Sequence, residues 1–364
     1  MRIAYHWRME NRHTPCHSVQ QDQADFPLEA KVRFLSRPNA YPARPSRVDT
    51  VETHMSWVFL TDAQVYKLKK PVRYDYLDFS TLKARRLDCE AEVNLNRRLA
   101  AAVYLGIIPL ALDAAGCLHL GGEGEIVDWL VQMRRLPADR MLDVLLRAHR
   151  VKQAEIAQLA QRLARFYAEA AVEPIAPERY RERLAARITE NMKELSSPEF
   201  GLGTALPEEL ARAQLGFLQA YAERFDRRVA QGRIVEGHGD LRPEHVCLLP
   251  EPVVIDCLEF NREFRILDPA DELGYLALEC ERLGAPEVGS WLLEGYTEAS
   301  GDDPPAALLH FYQSCRAFLR AKIAVWHLRD DGRHSAGEWM AAAREYLQLA
   351  LRHIDRALNR SSAL

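Results

Sequence analysis

The most informative stretch of the sequence is Val235–Phe260, VEGHGDLRPEHVCLLPEPVVIDCLEF. It places Asp240 in a turn after a short apolar run, and a second apolar run, 252–255, then delivers Asp256. A hairpin-like connection between the two runs can bring these two carboxylates close together. Phosphoryl transfer uses such a pair, one carboxylate to orient a hydroxyl and one to hold a metal-bound phosphate. Asp240 is therefore a candidate catalytic residue, against the simpler interpretation of a turn-capping aspartate, and Asp256 is a candidate metal ligand.

This spacing resembles the catalytic segment of the aminoglycoside phosphotransferase family, a small-molecule branch of the protein-kinase-like fold. The family pattern is His-Gly-Asp, four residues, Asn, and then a strand that ends in Ile-Asp. His238-Gly239-Asp240 and Ile255-Asp256 match that pattern, and His245 stands where the family has Asn. The resemblance implies an ATP-dependent enzyme that phosphorylates a hydroxyl of a small molecule.

The resemblance covers roughly residues 30 to 350 and is closest to an uncharacterised bacterial branch of the family. The sequence segments that carry the resemblance are 52–60, 66–71, 77–82 and 255–261. Some members of that branch also carry a P-loop domain. No Gly-x-x-x-x-Gly-Lys-Ser/Thr motif occurs in this sequence, so we expect that domain to be absent.

The expected fold is α+β and protein-kinase-like, with two lobes. Residues 30–136 form a small lobe with a mixed or antiparallel sheet and one helix, because strand-like runs at 55–60 and 65–69 precede, and runs at 104–112, 117–120 and 126–133 follow, one helical run that Ser80 opens. Residues 137–364 form a mainly helical lobe that contains the catalytic loop 235–272. Residues 1–29 are predicted to be a disordered extension.

Composition excludes several other classes of protein. The 364 residues have a net charge of −4, which gives no general affinity for nucleic acid or for an anionic membrane. The seven cysteines form no Cys-x-x-Cys pair, as in a reduced, cytoplasmic protein. No apolar run reaches the roughly 18 residues of a membrane span, and the first 25 residues are polar and lack the apolar core that a signal peptide has. The acceptor and the oligomeric state are not predicted.

The metal site is expected to form around Asp256, since Mg²⁺ favours one or two carboxylates with phosphate oxygens and water. Glu259 is either a second ligand or a solvated loop residue. His245 has three interpretations: a working ligand that suits Mn²⁺ or Zn²⁺ better than Mg²⁺, a position that Glu244 replaces, or the mark of a pseudo-enzyme. His238 is expected to order the turn.

Nucleotide contacts are expected from the smaller lobe. Lys67 and Lys69 share one face of a strand, and the resemblance assigns one of them, with Lys67 preferred, to the α- and β-phosphates. Glu92 on the crossing helix would be the ion-pair partner of that lysine. The linker after the sheet would offer the backbone of Met133 to Arg135 to an adenine edge.

Asp271 precedes an apolar helix and is expected to cap that helix or to brace the catalytic turn. Three functions remain open at this point. The chain is an ATP- and Mg²⁺-dependent phosphotransferase, a kinase-like binding protein with weak or no turnover, or a metal-dependent hydrolase built from the same histidines and aspartates.

Overall fold

The structure is a computed structural model that describes residues 26–74, 77–329 and 336–359. The chain divides into two compact units. The first, here called the sheet unit, runs to Leu136 and also includes Glu259–Asn261. The second, the helical unit, comprises Pro137–Leu258 and the chain from Arg262 onward. Among the described residues, no helix is both long enough and apolar enough to cross a membrane.

The sheet unit is built on one antiparallel sheet with the strand order β1-β2-β3-β8-β6-β7, and β4 pairs with β5 in a separate hairpin. Its elements are α1 (Leu28–Leu35), β1 (Asp49–Glu52), β2 (Ser56–Leu60), β3 (Gln64–Lys69), β4 (Arg73–Tyr74), β5 (Leu77–Asp78), α2 (Leu82–Ala100), β6 (Tyr104–Leu112), β7 (Leu118–Leu120) and β8 (Glu125–Arg134). Strand β3 lies between β2 and β8, so its backbone is paired along both edges.

Helix α2 is fixed to the sheet by a buried ion cluster. Asp128 on β8 accepts hydrogen bonds from Lys31 of α1 at 2.7 Å and from Arg85 of α2 at 2.9 Å. All three side chains are buried, so the charges neutralise one another away from water. The predicted start of α2 is shifted by one residue, because the N-cap that accepts from a backbone N–H is Thr81 and not Ser80.

The helical unit consists mainly of helices around an apolar core rich in aromatic side chains. Its elements are α3 (Leu142–Arg147), α4 (Gln153–Glu169), α5 (Pro177–Leu195), α6 (Ala205–Ala220), α7 (Ala222–Ala230), β9 (Val235–Glu236), β10 (Val246–Cys247), β11 (Val253–Val254), β12 (Ile266–Leu267), α8 (Pro269–Arg282), α9 (Pro286–Ser300), α10 (Ala306–Trp326) and α11 (Ala336–Ala357). Two short antiparallel pairs, β9 with β12 and β10 with β11, interrupt the helices and carry the candidate site.

The structure differs from the predicted boundaries in two places. The extension was expected to end at residue 29, but α1 begins at Leu28, while residues 1–25 lie outside the described part. The helical apolar spacing of residues 207–231 predicts a single helix, but the chain breaks between α6 and α7 at Tyr221, whose backbone is not helical. The Tyr221 ring packs 4.6 Å from that of Phe217, which gives the break an apolar anchor.

Candidate active site

The candidate catalytic turn follows β9 and depends on a left-handed glycine. Gly239 has φ +92°, and a Cβ placed there would lie 3.0 Å from the Leu258 side chain. Only glycine adopts this conformation without strain. The backbone conformation of this turn therefore requires the glycine of the His-Gly-Asp motif, which immediately precedes Asp240.

The N–H groups of this turn are held by Glu272, at the start of α8. Its carboxylate accepts hydrogen bonds from the backbone N–H groups of His238 at 3.0 Å and of Gly239 at 2.5 Å, and from the Tyr167 hydroxyl at 2.8 Å. Burial raises the pKa of Glu272, although these donors act against the shift. A buried carboxylate therefore fixes the backbone just before Asp240.

Asp271 braces the same turn indirectly. Arg316 on α10 donates to both Asp271 oxygens, at 2.7 and 2.9 Å, and also to the carbonyl oxygen of Gly239 at 3.4 Å. The helix cap is instead Asp268, whose side chain accepts from the N–H of Ala270. Asp271 was predicted to cap the helix or to brace the turn; the capping side chain is that of Asp268, and Asp271 reaches the turn through Arg316.

His238 links the two ends of the site. Its Nε2–H donates to the carbonyl oxygen of Ile255 at 3.0 Å, and its Nδ1 accepts from the N–H of Asp240 at 3.3 Å. This pattern requires the neutral imidazole, since both nitrogens would otherwise be donors. Burial lowers the pKa of His238 to about 3, which keeps the ring neutral. The ring thus lies between the segments that carry Asp240 and Asp256.

Asp240 is surrounded by cations. Arg242 donates to its carboxylate at 3.0 Å, and the Tyr275 hydroxyl lies 3.4 Å from the other oxygen. Burial alone would raise the pKa of Asp240, but nearby positive charge, above all that of Arg242, outweighs it and holds the pKa at about 2. The side chain is therefore an ionised hydrogen-bond acceptor throughout the working pH range.

His245 lies beside both aspartates. Strands β10 and β11 form the predicted hairpin, so His245 and Ile255 are backbone neighbours, joined by an N–H···O bond of 2.9 Å. The imidazole Nδ1 donates to the Asp240 carbonyl oxygen at 2.8 Å and lies 3.6 Å from the Asp240 carboxylate. Its Nε2 lies 3.5 Å from the Asp256 carboxylate.

The resulting tautomer leaves Nε2 of His245 without a proton. That lone pair faces the half-exposed Asp256 carboxylate, and together they form an N,O donor pair for a divalent cation. Arg242 also lies 3.2 Å from Nε2, so a guanidinium occupies part of the same space. Glu244, the proposed substitute, lies 3.9 Å from Arg242.

Asp256 has a backbone conformation that side-chain-bearing residues rarely adopt, with φ +62°. Such strain persists only where the surroundings enforce it, and it concentrates at functional sites. The residues that follow are tied down, since the N–H of Leu258 and the thiol of Cys257 both donate to the His238 carbonyl oxygen, at 3.1 and 3.2 Å. The backbone thus aims Asp256 at a fixed position.

In the sheet unit, Lys67 and Glu92 meet as the sequence analysis expects. The Lys67 ammonium lies 3.0 Å from Glu92 Oε1, and the lysine side chain retains 14% exposure. Lys69 also binds Glu92, through Oε2 at 2.5 Å, but it is only 1% exposed. Of the two lysine side chains, that of Lys67 is therefore the more exposed.

Lys69 lies at the centre of three carboxylates, those of Asp88, Glu92 and Glu259. Asp88 is 2.8 Å away, and Glu259 makes a short contact. Burial alone would lower the pKa of Lys69, but the three carboxylates raise it well above its usual value. Their oxygens lie within 4.8 Å of one another, a spacing that could hold a metal ion, yet the ammonium already occupies this position. Glu259 is thus placed against Lys69.

The predicted adenine contacts at the linker are only partly available. The N–H of Arg134 donates to Val103 O at 2.8 Å, and the N–H of Arg135 donates to Ala63 O at 2.9 Å. Met133 is in the ladder of β8, paired with Val65. The Arg135 side chain donates to Thr61 O at 2.6 Å. Two of the three expected backbone donors are therefore used within the sheet unit.

The sequence analysis missed three groups that shape these sites. Arg242 could have been suspected from its place between Asp240 and His245. Asp88 lies four residues before Glu92 on α2, so the two share a helix face. Glu272 has no local signal, because it meets the turn across 33 residues of chain.

The chain has relatives among curated proteins. No family profile matches the chain. Uncharacterized proteins of Mycobacterium tuberculosis and Mycobacterium bovis are 34% identical over 316 residues, which is 85% of this chain and 60% of theirs. The chain therefore spans only part of the length of these curated relatives.

Solved structures give the class of fold. The choline kinase of Cryptosporidium parvum covers 91% of this chain and 97% of its own, with a TM-score of 0.54 at 9% identity. A choline/ethanolamine kinase family protein of Mesorhizobium loti covers 90% and 99%, with a TM-score of 0.49 at 16% identity. The chain has a kinase-like α+β fold, and that prediction is confirmed.

Proposed function

We propose that this chain is an ATP-dependent phosphotransferase that moves the γ-phosphoryl group to a hydroxyl of a small molecule. The observation that carries the proposal is the cluster of Asp240, His245 and Asp256 around one strained turn and one hairpin. Such a cluster in a kinase-like fold has the parts that phosphoryl transfer needs. The kinase-like fold by itself fixes neither the reaction nor the acceptor.

In this proposal Asp240 orients the acceptor hydroxyl. The hydroxyl oxygen forms a bond to the γ-phosphorus, the bond to the β-phosphate oxygen breaks, and ADP leaves. With a pKa of about 2, Asp240 is too weak a base to remove the proton early. It accepts the hydroxyl hydrogen bond and takes the proton only as the new bond forms.

Asp256 and His245 would hold the divalent metal. The metal, when bound, neutralises charge on the phosphate oxygens. The unprotonated Nε2 and the neighbouring carboxylate fit Mn²⁺ as well as Mg²⁺. Lys67, kept in place by Glu92, would contact the nucleotide phosphates. Glu259 contacts Lys69 and is therefore not a ligand in the proposed metal site.

The first test is calorimetric titration with ATP in the presence of Mg²⁺, Mn²⁺ or chelator. We expect metal-dependent binding by wild type and its loss in Asp256→Ala. The matched control is Glu263→Gln. This change also removes a carboxylate from the same loop, but the Glu263 side chain is 61% exposed and pairs with Arg183. Absence of nucleotide binding by wild type under all conditions would refute the proposal. Metal-dependent binding would justify a screen of hydroxyl acceptors.

A kinase-like binding protein without turnover is the second candidate, because Arg242 contacts both Asp240 and His245 Nε2. His245→Asn separates the two. Higher activity of the variant with Mg²⁺ supports a working site with altered metal preference, whereas nucleotide binding without turnover in either form supports the binding protein.

A metal-dependent hydrolase would not need the lysine strand. Lys67→Ala should abolish ATP-dependent transfer and leave hydrolysis of an ester intact. Lys70→Ala is the matched control, since Lys70 follows β3 and pairs with Glu52 at 2.7 Å.

A further inference from the structure

Lys69 connects two functional elements of the sheet unit. Its ammonium binds Glu92, the residue that also binds Lys67, through the second carboxylate oxygen. The same ammonium binds Glu259, which comes three residues after Asp256 in the chain. One buried cation therefore contacts the partner of the candidate phosphate lysine and the segment that follows the candidate metal ligand.

The segment after Asp256 is fixed at two points. Cys257 and Leu258 are bound to the carbonyl oxygen of His238, as described above. Glu259 is held by Lys69, with both side chains almost fully buried. Asp256 itself adopts the unfavourable φ of +62°, so its conformation depends on restraint of the flanking chain.

We propose that Lys69 is a positioning residue. Through Glu259 it restrains the backbone that aims Asp256, and through Glu92 it fixes the partner of Lys67. The effect on metal binding rests on the proposed phosphotransferase function. The restraint on the backbone does not.

Asp88 provides a matched comparison, because Asp88 and Glu259 each supply one carboxylate to Lys69. Asp88 lies on α2 and is remote in sequence from Asp256. Glu259→Gln and Asp88→Asn are both isosteric and both remove one charge from the same cluster. If Lys69 acts on Asp256 through Glu259, only Glu259→Gln should change the behaviour of residues 254–262.

The first measurement is deuterium uptake by the peptide covering 254–262 in the ligand-free protein. We expect at least a fivefold faster exchange in Glu259→Gln than in wild type, and a change of less than twofold in Asp88→Asn. Equal uptake in the two variants, or no increase in either, would overturn the proposal. This outcome is independent of whether the protein binds nucleotide.

The second measurement is the Mn²⁺ concentration at half-maximal ATP binding. We expect it to rise at least fivefold in Glu259→Gln and to stay within twofold of wild type in Asp88→Asn, with Glu259→Asp between wild type and Gln. Equal shifts in both variants would mean that the cluster gives only general support, and would also overturn the proposal. Lack of ATP binding by wild type counts against the phosphotransferase and leaves the exchange result to decide the role of Lys69.

Discussion

Replacing Asp128 by Asn should destabilise the protein strongly, because two buried cations depend on that carboxylate. Oδ2 of Asp128 accepts from Lys31 at 2.7 Å, and Oδ1 accepts from Arg85 at 2.9 Å and from the backbone N–H of Trp129. An Asn amide keeps one acceptor oxygen. In either orientation its NH₂ group faces a donor, so at least one of the two buried cations loses its hydrogen bond to residue 128, and both lose the negative charge of that side chain.

The expected magnitude follows from burial. Breaking a fully buried ion pair by removal of one partner costs about 3–5 kcal/mol, because the remaining charge is not solvated. Helix α2 offers a control one residue away. Arg86 and Glu90 form an ion pair at 2.9 Å, but their side chains are 52% and 37% exposed. Glu90→Gln should therefore change stability by no more than about 0.5 kcal/mol.

Urea unfolding followed by circular dichroism would measure both variants against wild type. Because α2 also carries Glu92, the Asp128 variant should in addition bind ATP more weakly, while Glu90→Gln should not. A loss of less than about 1 kcal/mol in Asp128→Asn, or equal losses in the two variants, would refute the argument that this buried cluster fixes α2 to the sheet.

Three further outcomes are expected. For His238, the folded pKa of about 3 lies below the unfolded value, so the unfolded chain binds more protons between about pH 3 and 6.5 and stability falls on acidification. Between pH 6.5 and 4.5 wild type should lose about 2.3 kcal/mol more than His238→Gln, and equal losses in urea unfolding would exclude this. Gly239→Ala should lose about 1–3 kcal/mol of stability, because it forces a side chain into φ +92° against Leu258, and an unchanged midpoint would contradict the strain. Asp240→Asn should lower kcat at least about 100-fold with unchanged ATP affinity in calorimetry, and a retained kcat would remove Asp240 from the reaction.

Contacts set by local spacing were accessible from the sequence. The β10–β11 hairpin is short, so the separation of His245 and Ile255 along the chain almost determines that Asp256 returns beside His245. The shared face of Lys67 and Lys69 follows from strand alternation. The predicted meeting of Lys67 with Glu92 depended on the family resemblance, which supplied the packing of α2 on β3.

Contacts across long stretches of chain were not accessible. Arg316 and Gly239 are 77 residues apart in sequence, and no pattern in either segment predicts their contact. The two lysines differ for a similar reason, since alternation predicts a common face but not which ammonium is covered. Lys69 is buried because Asp88 on α2 and Glu259 both reach it, and Glu259 comes 190 residues later in the chain.

The exchange of the family's Asn for His245 can be judged from the hydrogen bonds around the ring. A neutral imidazole whose Nδ1–H is bound to the Asp240 carbonyl offers one uncharged donor atom, Nε2, which is what an Asn amide oxygen would offer. In the proposed metal site the number of donors would therefore be preserved, and replacing an oxygen ligand by nitrogen would shift the metal preference from Mg²⁺ towards Mn²⁺. What differs is Arg242, which contacts Nε2 and the Asp240 carboxylate together. A cation that binds Nε2 must displace this guanidinium from the imidazole, so the affinity of the site for metal depends on Arg242 as much as on His245.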